Sequence, residues 1–502
     1  MSNSDYIQKI VKGAFLVLIS MVLGKFFSYL YIILVATKLG THDYGVLSLG
    51  LAISSFLSAF SLLGLDESII RFVSFYNGEN NKEAIKGTIL TSFKTVINSS
   101  VFFGILLIIF SSYLSDNIFK EYELTKVLLF VALTLPFGVG AQIFLASFRA
   151  FQKPEYEVLI KELLEKFSRL IITVILIFYG FKLTGALFGF FLAVIIMFFV
   201  AFFTFNKKIF NIYNKNIKSI ENKKELLNYS LPLLLKNFMW FIVAWTDVLM
   251  IGYFKTISEV GIYNVALPTA NLIIVPVYGI MYLFLPIISE LYAKKKNEEI
   301  KYIYKKISKY TFVLNVPIFL IIFLLSKDII SLFFGKDYIS ASTPLIILSL
   351  GYLLYSLTDI SMNMLSVMKK TKTIFSIIFL FGLSNIILNY FLIPKYDIIG
   401  AAIGTSISFV IGAILMVSAS YKHTNLHPFM FKYYKVVIAL ILTFLISLSV
   451  RNLISFSPLI NIISLCLIIL ISYTLLIILL KVFNKEDFKI IDEMKSKFLI
   501  FK

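Results

Sequence analysis

Apolar runs of about twenty residues recur along nearly the whole chain, and no other feature constrains the fold so strongly. A helix needs roughly 20 mainly apolar residues to cross about 30 Å of hydrocarbon. Runs of that length lie near 13–36, 44–65, 87–114, 125–148, 157–180, 183–205, 226–252, 260–288, 307–333, 342–368, 373–394, 398–421, 432–450 and 458–483. They predict an all-α polytopic membrane protein with about fourteen transmembrane helices. Composition agrees. Of 502 residues, 59% are hydrophobic and 15% charged, and the mean hydropathy is +0.90. A soluble domain, with roughly 25% charged residues, needs far more polar surface to cover itself. The run at 13–36 is too long for the h-region of a cleavable signal, about 7–15 residues, so it reads as the first spanning helix.

The formal net charge of +19 would suggest nucleic acid on a soluble protein. In a membrane protein the placement of Lys and Arg matters more than their sum. With the N-terminus inside, the inner segments hold most of the 47 basic residues, including the clusters around 207–224 and 294–309. Both termini are therefore expected in the cytoplasm and the protein in the cell membrane. The lysine clusters read as topology and attraction to anionic lipid headgroups, with no nucleic-acid partner. One cysteine, Cys466, excludes an internal disulfide, and the three histidines form no Cys/His metal cluster. No metal, no cofactor and no catalytic residue is expected.

The chain resembles itself at an offset of about 216. Tyr44-Gly45-Val46 meets Val260-Gly261-Ile262, Gly185-Ala186 with Gly189 meets Gly400-Ala401 with Gly404, and Lys153 meets Lys369. Six helices separate the copies, and an even number of crossings preserves orientation. The predicted architecture is two parallel six-helix lobes, 1–206 and 226–421, related by a pseudo-two-fold axis along the membrane normal. A basic linker, 207–225, joins them. A further helix pair, 422–483, and a basic tail, 484–502, follow.

Ionisable groups deep in a span cost at least about 2.5–3.5 kcal/mol each, and they usually face a polar cavity or a partner. Lys25 lies mid-span in the first run, with Ser20, Gly24 and Ser28 at helical spacing. Thr91, Lys94 and Asn98 share a face of the third, and Lys236, Trp240, Val243 and Asp247 a stripe of the seventh. Tyr352, Ser356, Asp359, Asn363 and Ser366 form a polar stripe in the tenth. The fifth run opens on a charged turn, Lys161, Glu162, Glu165, Lys166 and Arg169, which makes it the least regular span. The first lobe is thus expected to hold buried cations and no deep acid, and the second Asp247 and Asp359. A cationic cavity suits a phosphate or pyrophosphate, which Lys meets as a point charge. The acids and the nearby Asn98 and Asn363 would balance charge or carry a coupling ion, H+ or Na+. Pro136, Pro276 and Pro317 fall inside runs as hinge candidates or plain kinks.

Local motifs resemble a known group. Leu39-Gly40-Thr41-His42-Asp43-Tyr44-Gly45 resembles its junction between the first two helices, and Arg71 the basic residue after the second. Arg149-Ala150-Phe151-Gln152-Lys153 resembles the end of the fourth helix, and Ser230-Leu231-Pro232 with Asp247 the seventh. The chain is similar to polysaccharide biosynthesis proteins, the Wzx-type oligosaccharide flippases of the multidrug/oligosaccharidyl-lipid/polysaccharide exporter superfamily. The resemblance implies a flippase, not an enzyme, that translocates a lipid-linked oligosaccharide on polyprenyl phosphate or pyrophosphate from the inner to the outer leaflet by alternating access. It places Arg71 and Arg149 with Lys25, Lys94 and Lys236 as substrate-binding cations. Membrane lipids and glycan-assembly enzymes are the implied partners. The peptidoglycan-precursor branch carries several arginines in its first helices, whereas this chain has none before Arg71.

Two other functions compete. A multidrug or cation antiporter of the same superfamily would use an acidic site in the first lobe, where the runs carry cations instead. A membrane glycosyltransferase or polymerase would need acidic or metal-binding groups on a large outer loop, and the outer connections are short.

Overall fold

The computed structural model describes residues 3–220, 222–425, 427–428, 433–451 and 458–483; at 3–18 and at a few helical positions, Lys236 and Trp240 among them, only the backbone is described. The expected basic tail at 484–502 lies outside the described residues.

Fifteen α-helices make up the described chain. The first seven are α1 (Asn3–Leu62), α2 (Leu65–Gly78), α3 (Lys82–Tyr113), α4 (Glu123–Ala150), α5 (Pro154–Val158), α6 (Glu165–Phe178) and α7 (Leu183–Lys208). There follow α8 (Lys223–Phe254), α9 (Ile257–Asn271), α10 (Val275–Ala293), α11 (Asn297–Phe333) and α12 (Ser342–Val367). The last three are α13 (Thr371–Thr424), α14 (Tyr433–Arg451) and α15 (Pro458–Leu479). Hydrocarbon offers no partner for a free N–H or C=O, so a spanning segment satisfies its backbone within itself. Among the described residues ten helical segments are long and apolar enough to cross a membrane, against fourteen expected runs. Two of the ten, Ile19–Gly78 and Thr371–Thr424, each contain two expected runs on either side of one non-helical residue, Gly40 (φ 82°) and Asp397 (φ 53°). The expected run at 260–288 is divided by a 3-10 turn at Leu272–Ile274. Pro276, which has no N–H, sits in the first turn of the helix that follows, where none is needed. Pro136 and Pro317 lie inside α4 and α11.

The helices divide into two compact units, residues 1–268 with 375–408, and residues 269–374 with 409–502. These boundaries differ from the expected lobe junction at 207–225 because α8 packs along α1 and α2 and so clusters with the N-terminal helices.

In the first unit a core of Leu65, Ile69, Ile85, Ile89, Phe144, Phe148 and Phe205 binds α2, α3, α4 and α7 together. Small residues let membrane helices approach closely, since van der Waals contact replaces hydrophobic driving force there. The clearest case involves the repeat itself. A Cβ on Gly45 would stand 2.0 Å from the Ile257 carbonyl oxygen, and one on Gly261 would stand 2.0 Å from that of Thr41. Thr41 and Ile257 correspond under the repeat offset, as do Gly45 and Gly261, so each contact is the image of the other. The linker is tied down by Lys86, whose buried ammonium donates to the Asn214 and Ile217 carbonyls, both at 2.9 Å.

In the second unit α14 and α15 are clamped to α11. Lys309 donates to the Val482 carbonyl at 2.8 Å, Tyr473 to that of Val313 at 3.0 Å, and Arg451 reaches Asp328 at 3.1 Å. On α15, Leu467, Ile471, Leu475 and Ile478 are each more than half exposed along one stripe, the expected face for lipid.

Gly45→Ala and Gly261→Ala each insert a methyl group between two backbones. Each is expected to cost about 1–3 kcal/mol of stability, read as a lowered Tm in detergent. The double variant should cost less than the sum, because the first substitution already parts the helices. Additive losses would count against the reciprocal contact.

Candidate functional site

The charged turn that opens the fifth run builds the first site. Residues Leu159–Leu164 form a π-helical turn between α5 and α6. The wider turn admits one extra residue and rotates the side chains that follow, a device common at functional sites. Alpha-1 crosses this turn at Gly24, where a Cβ would stand 2.3 Å from the Glu162 carbonyl oxygen. One turn on, Glu165 is 3% exposed. Its carboxylate accepts from Arg169 Nε at 2.9 Å and also from Arg169 Nη2, and pairs with Lys166 Nζ at 3.2 Å. The Arg169 guanidinium lies 5.5 Å from the centre of the Tyr31 ring and 5.0 Å from that of Phe190. Aromatic faces and a carboxylate together replace the water a buried guanidinium gives up.

These groups border a cavity of about 540 Å³ within the first unit, in the usual range of small-ligand sites, about 300–1,000 Å³. Lys161, Lys166 and Arg169 supply its positive charge, and Glu165 and Asp66 its negative charge. Ser54, Ser58 and Gln142 add neutral hydrogen-bonding groups, and Phe190, Phe241 and Trp245 an apolar wall. Such a surface can bind an anion, donate to hydroxyl groups and accept an apolar ring or chain. The expectation that the first helices hold no deep acid is corrected by Glu165. The acid is tolerated because Arg169, four residues on, stands directly above it on the same helix face.

The expected site residues fall in several places. Lys25 is half-buried on α1, with Glu162 and Lys166 as its charged neighbours, and is not among the residues lining the cavity. Lys94 and Asn98 are exposed on α3, whereas Thr91 on the same stripe is buried. Arg71 is exposed on α2 with its guanidinium 4.2 Å from the Tyr229 ring centre. Arg149 is exposed at the end of α4 and pairs with Glu157 at 2.9 Å. The side chain of Lys236 lies outside the described residues. Asp359 is half-buried on α12 in the second unit, and its carbonyl accepts from the Asn363 amide at 2.9 Å. At the bend of α1, His42, Asp43 and Glu123 each bring one ligand atom to within 4.8 Å of the others, a grouping that sequence spacing does not suggest.

Asp247 forms a second site, also within the first unit. It is 3% exposed and accepts four hydrogen bonds. Tyr263 and Thr405 hydroxyls donate to Oδ2 at 2.6 Å each. The amides of Asn389 and Asn385 donate to Oδ1 at 2.7 and 3.2 Å. All four partners are neutral. Asn389 Oδ1 is buried without a hydrogen-bond partner, and Asn385 Oδ1 accepts from Asn389 at 3.2 Å. An oxygen-rich pocket of this kind suits a proton or a small hard cation. The sequence pattern places Asp247 only on a stripe with Lys236, Trp240 and Val243. The partners it missed carry a legible signal, two asparagines four apart in an otherwise apolar run. Thr405→Val removes a donor to a buried carboxylate, and it should lower stability by about 1.5–3 kcal/mol in thermal unfolding.

Comparisons with known proteins agree with this architecture. The family model described as polysaccharide biosynthesis protein matches residues 10–292, and the MatE model matches residues 232–391. An uncharacterized membrane protein of Methanocaldococcus jannaschii is 26% identical over 424 residues, 81% of this chain and 83% of its own length. The probable low-salt glycan biosynthesis flippase Agl15 of Haloferax volcanii is 28% identical over 39% of this chain and 42% of its own length. The inward closed conformation of the lipid II flippase MurJ superposes with a TM-score of 0.70 at 20% identity, covering 92% of this chain and 99% of that one. With a family model spanning more than half of its length, this multi-pass helical membrane protein belongs to the polysaccharide biosynthesis protein family.

Proposed function

We propose that this protein is a flippase that carries an oligosaccharide, linked to a polyprenyl phosphate or pyrophosphate, from the inner to the outer leaflet of the cell membrane. One observation carries the reading: an open cavity among apolar helices, lined by Lys161, Lys166 and Arg169 against two acids. An anionic headgroup cannot enter hydrocarbon without replacements for its water. Amine and guanidinium groups supply them for phosphate, and Ser58 and Gln142 supply hydrogen bonds for sugar hydroxyls. The polyprenyl chain remains in lipid. No bond in the substrate is made or broken. A cationic drug, the cargo of a multidrug antiporter, would meet three like charges in the same place.

Transport runs by alternating access, with two six-helix lobes, 1–206 and 226–421, rocking about a pseudo-two-fold axis along the membrane normal. The helix pair within 422–483 stands outside them, and both termini face the cytoplasm. The mirrored contacts of Gly45 and Gly261 support this symmetry. Lys25 and Lys94 extend the basic path, while the exposed Arg71 and Arg149 attract the headgroup before entry. Asp247 in its cage of neutral donors holds the coupling ion, H+ or Na+, and Asp359 with Asn363 offers a second acidic position in the other unit.

Lys161→Ala and Lys25→Ala should each slow transfer of a fluorescent polyprenyl-linked sugar across proteoliposomes by roughly tenfold or more. Wild-type rates in both would remove these amines from the path. Asp247→Asn should leave the protein inserted but make the rate indifferent to an imposed H+ or Na+ gradient. A rate that still follows the gradient would leave Asp247 with a structural role.

A further inference from the structure

The charges around the cavity are few enough to compare with a substrate. Three cations, Lys161, Lys166 and Arg169, face two acids, Asp66 and Glu165, so the lining carries a net charge of +1. The cations are unequally engaged. Glu165 holds Arg169 and Lys166 together, whereas Lys161 makes no ion pair among the described residues. One positive charge in this wall thus stands ready for an incoming anion.

A lipid and a sugar joined through a single phosphate form a phosphodiester with one ionised oxygen. The same pair joined through a pyrophosphate carries two. Every position of the loaded cavity during transport lies in a medium of low dielectric, where uncompensated charge is expensive. A lining of +1 neutralises the first substrate and leaves the second with an excess negative charge. We infer that the cavity selects a polyprenyl monophosphate sugar over a polyprenyl pyrophosphate sugar, and that Glu165 is the specificity-determining residue, since it cancels one of the three cations.

Charge matching also explains why a carboxylate is buried in a site for anions. Without Glu165 the lining would carry +2, and Arg169 and Lys166 would be free to engage a second phosphate. The stacking of Arg169 between Tyr31 and Phe190 keeps the guanidinium turned to the wall while Glu165 is present.

This inference rests on the flippase reading, and the experiment separates the two. Purified protein is reconstituted in proteoliposomes with the same hexose on polyprenyl phosphate or on polyprenyl pyrophosphate, and transfer to the opposite leaflet is timed. Wild type should favour the monophosphate by about tenfold or more. Glu165→Gln raises the lining to +2 and should narrow or invert that preference. Asp66→Asn makes the same change in charge without touching the partner of Arg169, so it should shift the preference in the same direction if Glu165→Gln does not fold. Equal transfer of both substrates by wild type, or preference for the pyrophosphate, overturns the inference and leaves the flippase intact. An unchanged preference in both folded variants also overturns it. Transfer of neither substrate by folded wild type overturns the flippase reading instead.

Discussion

The buried contact of Glu165 with Arg169 and Lys166 is the interaction on which the cavity depends. None of the three could be held alone so deep among apolar helices. Removing one partner of a buried pair leaves the other uncompensated, which costs more than the pair contributes when intact. The group therefore behaves as a unit, and its demands reach outward. Arg169 needs the faces of Tyr31 and Phe190, which brings α1 and α7 to the wall. The turn that begins the wall needs a close crossing with α1, which Gly24 permits. The shape of the cavity follows from satisfying these charges.

A second acid in the same unit is buried in the opposite manner. Asp247 meets four neutral donors and no counter-ion among its hydrogen-bond partners. Both solutions satisfy the rule that a buried charge must be hydrogen-bonded, and they differ in what they leave over. The ion-paired group leaves one amine, Lys161, ready for an anion. The neutral cage leaves a negative charge that a proton or a small cation can complete. In the function proposed above, the two places would serve separately, one for an anionic cargo and one for a positive coupling ion.

Parts of this arrangement can be read directly from residues. The spans near α3, α4, α7 and α11 follow from run length alone, because hydrocarbon thickness sets a minimum. The repeat at offset 216 was visible in its glycine motifs, though not the fact that the two motifs touch. The charges at 161–169 were visible too, and they read as an irregularity in a span. Their meaning lay in the π turn, which changes the face each side chain presents and cannot be seen in a pattern that assumes an even helical period. Lys25 reads from the sequence as a mid-span amine, but a side chain's depth along one helix does not say which neighbour it meets.

Composition and run length by themselves determined that this chain is helical and spans a membrane, since a backbone in hydrocarbon has so few ways to satisfy its hydrogen bonds. They also located the residues whose charge would be costly there. Only the tertiary structure decided which of those charges meet, which face a cavity and which are caged by neutral groups. Asp247 and Thr405 are 158 positions apart, and Tyr31 and Arg169 lie on different helices. Their contact depends on how helices cross and rotate against one another, and the order of residues along any one helix does not carry that information.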